Sequence, residues 1–305
     1  MASPPILDFD QLLRPISDDV PAGIDIRSDA NASPLYYSVK DARSSARAKE
    51  RSSLVEDGEA RDISVEWRPV LAQAQDLLTQ YSKDLEVTAW LIEAAVRLDG
   101  FAGLRDGFRL ARELVERFWN DIYPRPDEDG IETTIAPLAG LNGEEGEGTL
   151  IFPIRGAPIT GGQSVGPFAT WNYEQALALE QISDSEKRDK RVAAGAIALP
   201  TIQQAAAETS AQDFMLLHDN LQAAQTEFQQ LSAALDERCA HASPPTSNIR
   251  HALEACGEAL RYLAGDKLRP ASSDRTSEAD GEASSAPGTA AAPGQVRSRD
   301  DAFRV

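Results

Sequence analysis

Between Tyr81 and Pro124 the chain reads YSKDLEVTAWLIEAAVRLDGFAGLRDGFRLARELVERFWNDIYP, two apolar stripes at helical spacing with a glycine between them. Val87, Leu91, Ala94, Ala95 and Leu98 form the first stripe, which Trp90 widens. Leu104, Phe108, Ala111, Val115, Phe118 and Trp119 form the second, and that helix must end before Pro124. Gly100 stops the first helix, so the stretch predicts a helical hairpin around which the rest must pack. Ser82 is the expected N-cap, with Asp84 and Glu86 set against the positive end of the helix dipole. Gly103 and Gly107 let the two backbones approach closely, and packing is favoured for them over a ligand role.

The flanking chain divides by pattern. Residues 15–34 are rich in Pro, Gly, Asp and Ser and predict an extended lead-in held against the body. A helix over about 33–54 follows, with Lys40, Arg43, Arg47 and Arg51 on one face. In so acidic a chain this basic stripe is either neutralised by acidic residues of the same chain or a docking face for an acidic partner. A charged loop from Glu56 to Glu66 leads into a helix marked by Trp67, Val70, Leu71, Ala74, Leu77 and Leu78. Beyond Pro124 lie two acidic, turn-rich pieces, PRPDEDG and GEEGEG, then TLIFPIRGAPIT, whose prolines allow only short edge strands or one small β-hairpin. Helix resumes over 171–182.

From Ala207 the periodicity changes. Phe214, Leu217, Leu221, Ala224, Phe228, Leu231 and Leu235 alternate three and four apart, the register of a coiled-coil seam. After the turn SPPTSN, Ile249, Leu253, Cys256, Leu260 and Leu263 continue it, so two helices pair antiparallel. The seam residues Phe214, Leu217, Leu221, Phe228, Leu231 and Leu235 serve either that intramolecular hairpin or self-association. Residues 270–296 are Ser-, Ala-, Gly- and Pro-rich and bury too little to offset their ordering entropy.

Several ordered blocks resemble one family. SKDLE, RLDGFAGLRDG, FW and YPRPDEDG, flanked by PISDDVPAGIDIR, VKDARSSARAKER, PLAGLN, PIRGAPIT and GPFATWNYEQA, resemble the ImpA-type N-terminal domain of TssA proteins of the bacterial type VI secretion system. The resemblance implies a non-enzymatic assembly component that primes or coordinates tail polymerisation. Its implied partners are the baseplate subunits TssK, TssF, TssG and TssE, the Hcp tube, VgrG and the TssB–TssC sheath. It further implies a cytoplasmic bacterial protein recruited to the membrane-attached apparatus, with a weak preference for the baseplate. Full-length family members continue into a C-terminal ring-forming region, which these 305 residues are expected to lack. A stand-alone adaptor that regulates the machine is the alternative.

Chemistry by turnover finds little support. The net charge of -19 disfavours nucleic acid and anionic lipid as partners. The longest uncharged apolar run, 192–199, is too short to span a bilayer, and the first residues lack a secretory signal pattern. Asp127, Glu128 and Asp129 are read as an exposed turn or a partner contact, and a carboxylate-dependent hydrolase is the remote alternative. Cys239, His241, His251 and Cys256 flank the C-terminal turn, but their separation along paired helices strains a zinc site or disulfide. No cofactor, metal or catalytic set is expected. The predicted fold is mainly α: an ImpA-like multi-helix domain over 1–185 with a small β-hairpin element, then an antiparallel helical hairpin over 186–265. A disordered linker over 266–297 and the start of a truncated helical region at 298–305 complete it.

Overall fold

The long helical stretch α4 (Leu85–Phe118) is two arms folded back on each other at Gly100, which adopts φ 56° and ψ -134°. The arms touch at the glycines. A Cβ on Gly103 would lie 2.0 Å from the Ala95 carbonyl oxygen, and one on Gly107 2.8 Å from Ile92 Cγ1. Small residues thus bring the backbones together, and the apolar stripes of both arms are buried. The cap differs from expectation. Asp84, not Ser82, accepts the N–H groups of Glu86 and Val87, because Ser82 is drawn into an isolated antiparallel bridge with Gly23.

The computed structural model describes residues 1–55, 63–144 and 146–268. Before the hairpin come α1 (Phe9–Leu12), α2 (Ser33–Val55), a 3-10 turn at Ile63–Trp67 and α3 (Arg68–Gln80). Most of the loop expected over 56–66 lies outside the described residues, and its last part is that 3-10 turn. The lead-in is extended and pinned: Ile24 donates to the Tyr81 carbonyl and Lys83 N–H to that of Ala22, with Ala22 and Ile26 buried.

After the hairpin, α5 (Ile131–Asn142) and α6 (Ile151–Gly156) occupy a region the sequence pattern left without helices. The small β-hairpin is therefore corrected. Among the described residues TLIFPIRGAPIT is a short helix followed by one isolated bridge, Pro158 with Ala169. Pro153 is tolerated because it falls in the first turn of α6, where its missing N–H is not needed. Three further helices, α7 (Thr170–Glu180), α8 (Ser185–Ala193) and α9 (Leu199–Glu208), lead to α10 (Ala211–Cys239) and α11 (Ser247–Ala264).

Helices α10 and α11 pack against each other, and α10 also lies along α4, where the Phe108 and Phe228 rings meet at 4.9 Å. Met1–Leu268 thereby forms one unit. Gly265–Leu268 closes it as a 3-10 turn, with Lys267 Nζ donating to the carbonyls of Ala206, Ala207 and Thr209. The remaining linker and the helix start expected at 298–305 lie outside the described residues.

Candidate interaction surfaces

The basic stripe of α2 is split by its partners. Arg43 forms a bidentate pair with Glu93 of α4, at 2.7 and 2.8 Å, and Glu93 is buried. Thr149 Oγ1 donates to the same carboxylate. Arg43 is spent on the fold. Lys40 is exposed, its ammonium 6.0 Å from the Tyr36 ring centroid. Arg47 is half-buried and Arg51 exposed, and neither has a hydrogen bond or ion pair among the described residues. Burial pulls the Arg47 guanidinium below its usual range; Glu93 opposes this, while Arg43, Arg97 and Arg51 add to it.

The acidic turn is exposed throughout, between α4 and α5. Asp127 accepts from Thr133 Oγ1 and from the Asp129 N–H, which hold its carboxyl below the usual range. The Glu128 and Asp129 side chains make no hydrogen bond or ion pair among the described residues. No hydrogen bond or ion pair joins this turn to the α2 stripe among the described residues.

The seam faces inward. Phe214, Leu221, Phe228, Leu231 and Leu235 are buried and Leu217 is half-buried against the core. Cys239 and Cys256 are free and buried, and burial pushes the Cys256 thiol up to about 12. Among the described residues no three His, Cys, Asp or Glu side chains gather as metal ligands, and no helix is long and apolar enough to cross a membrane.

Residues 13–143 match the family model described as ImpA, N-terminal, type VI secretion system. The type VI secretion system component TssA1 of Pseudomonas aeruginosa is 28% identical over 307 residues, an alignment covering 98% of this chain and 83% of that protein. The chain is thus similar to a TssA protein over nearly all of its length. Its fold is also similar to a solved N-terminal domain, including the conserved ImpA_N region, of the TssA component from Burkholderia cenocepacia. That likeness has a TM-score of 0.71 at 26% identity and covers 86% of this chain and 95% of the other.

The blocks that carry the TssA resemblance meet in space as internal polar knots. Arg27, from PAGIDIR, forks onto Asp84 of SKDLE at 2.7 and 3.3 Å and reaches Glu86 at 2.5 Å. Lys83 of the same block is fully buried and donates to the carbonyls of Leu12 and Leu78 at 2.8 and 2.6 Å. Tyr123, from YPRP, accepts from the Leu85 N–H and donates to the Lys83 carbonyl. Arg105 and Asp106, from GLRDG, bind each other and the N-terminal segment through Ser3, Pro4 and Ile6. These motifs thus build the fold of this chain. Sequence reasoning missed Glu93, Glu50 and Arg97, which tie α2 to α4, because isolated charges in a helical pattern read as solvated.

Proposed function

We propose that the chain is a non-enzymatic assembly component of the type VI secretion apparatus, acting by binding and templating. Its partners in this reading are the baseplate subunits TssK, TssF, TssG and TssE, the Hcp tube, VgrG and the TssB–TssC sheath. It acts in the bacterial cytoplasm, is recruited to the membrane-attached apparatus, and primes or coordinates tail polymerisation, with the baseplate favoured as its place. In domain order, an ImpA-like part to residue 185 and a helical region over 186–265 precede a linker and a further helical start.

One observation carries this reading. Lys83, Asp84, Glu93, Arg105 and Asp106 are all buried, and each is committed to backbone groups or to an opposite charge. Interior charge is used for architecture, whereas Arg47 and Arg51 sit unpaired among the described residues on one outer helix face. Likeness to TssA1 over 98% of the chain supports the same role.

Co-sedimentation tests it. Purified chain is mixed separately with reconstituted TssK–TssF–TssG–TssE complex and with assembled TssB–TssC sheath. The chain is expected in the pellet with the baseplate complex, and pelleting with neither assembly overturns the reading. Tail assembly and partner binding both retained by the Asp127→Ala, Glu128→Ala, Asp129→Ala variant exclude the hydrolase alternative, whereas an enzyme would lose its chemistry and keep its partners.

A further inference from the structure

A largely apolar groove reaches Glu50 of α2. Trp67, Phe152, Pro153, Pro158 and Trp171 line a groove of about 190 Å³ between the 3-10 turn at Ile63–Trp67, α4, α6 and the start of α7. Phe152 is 38% exposed although its neighbours Ile151, Pro153 and Ile154 are buried. The groove is smaller than the roughly 300–1,000 Å³ typical of small-molecule pockets. It has room for a side chain rather than a cofactor.

Two observations point to an occupant. Trp67 is fully buried, yet its indole Nε1–H has no hydrogen-bond partner. Buried donors are nearly always satisfied, so this one is short of an acceptor such as a peptide carbonyl. The Arg97 guanidinium stacks on that ring, 3.9 Å from its centroid, and is itself held by Glu50 at the groove edge. On α2, Arg47 stands one turn before Glu50 and Arg51 one turn after Arg47, so two arginines with no hydrogen bond or ion pair among the described residues lie near that edge.

We propose that this groove binds an extended segment of a partner protein carrying an apolar side chain flanked by carboxylates. The apolar side chain enters between Phe152, Pro158 and Trp171, in the groove that Trp67 also lines, and the carboxylates meet Arg47 and Arg51. Charge complementarity selects an acidic segment, because Arg43 is neutralised by Glu93 while Arg47 and Arg51 have no counter-charge bonded to them. The inference deepens the assembly reading by naming its surface.

The test uses the full chain and a displayed library of short random peptides, so no secretion-system subunit is involved and its failure leaves the assembly reading standing. Selected peptides are expected to carry an aromatic or aliphatic residue between Asp or Glu. They should move the Trp67 indole N–H resonance, identified by its loss in Trp67→Phe. Arg47→Glu with Arg51→Glu, and separately Phe152→Ser, should each weaken binding about tenfold without changing the circular dichroism spectrum. The proposal is overturned if no peptides are enriched, if enriched peptides are basic, if the indole resonance stays still, or if both substitutions leave affinity unchanged.

Discussion

The ammonium of Lys83 sits in the interior with two main-chain carbonyls as acceptors, and burial lowers it to about 8. Its value in the unfolded chain is about 10.4. Below pH 8 both states hold the proton and the burial cost is fully present. Between pH 8 and about 10.4 the unfolded chain holds a proton that the folded one has released, so stability rises with pH. A neutral amine still has two N–H donors for the same carbonyls. Replacing Lys83 by Met leaves the oxygens of Leu12 and Leu78 unpaired and should cost about 1–3 kcal/mol at neutral pH. Denaturant midpoints of both proteins across this window check the sign: the gap should widen as pH rises above 8, and a gap that narrows refutes the account. The SKDLE block was visible as a motif. That its lysine is interior was not, because a lone Lys beside a helix start reads as solvated until the chain at Leu12 arrives over it.

At the scale of the element, the glycines of α4 differ in what they protect. Gly103 faces the Ala95 carbonyl at 2.0 Å from where a Cβ would stand, a backbone clash that only separating the arms relieves. Gly107 faces Ile92 Cγ1 at 2.8 Å, a milder overlap with a side chain rather than a carbonyl. Gly103→Ala should therefore destabilise by more than about 3 kcal/mol and Gly107→Ala by about 1 kcal/mol. Equal losses, or the reverse order, in urea unfolding would show that the arms do not touch where the glycines fall. This hairpin was legible because apolar period, breaker and close-packing residues agree along one stretch. Helices α5, α6, α8 and α9 were not, because Pro137 and Pro153 lie inside two of them and α8 buries no residue. Local signals there either contradict helix or lack an apolar face, and packing or capping decides the outcome.

Across the whole molecule, α10 joins the C-terminal helices to α4 through a seam that is filled within the chain. Leu221 and Leu231 are 2% and 4% exposed. A carboxylate at either position has no partner there, so Leu221→Asp or Leu231→Asp should cost about 3–5 kcal/mol and lose helical signal. Circular dichroism and sedimentation separate the outcomes: retained helix with altered sedimentation would mean that the seam serves self-association instead. The heptad pattern predicted both helices and their pairing, yet periodicity is the same whether the apolar stripe meets its own chain or another. Sequence alone determined the helical class, the central hairpin, the seam and the net negative charge, since these follow from spacing and composition along the chain. Tertiary structure alone decided which charges are spent. Arg43 finds Glu93 and Arg27 finds Asp84 across 50 and 57 residues, separations over which no local pattern reports. The same packing leaves Arg47 and Arg51 without a hydrogen bond or ion pair among the described residues and the buried Trp67 N–H without an acceptor, because exposure and satisfaction belong to the assembled fold.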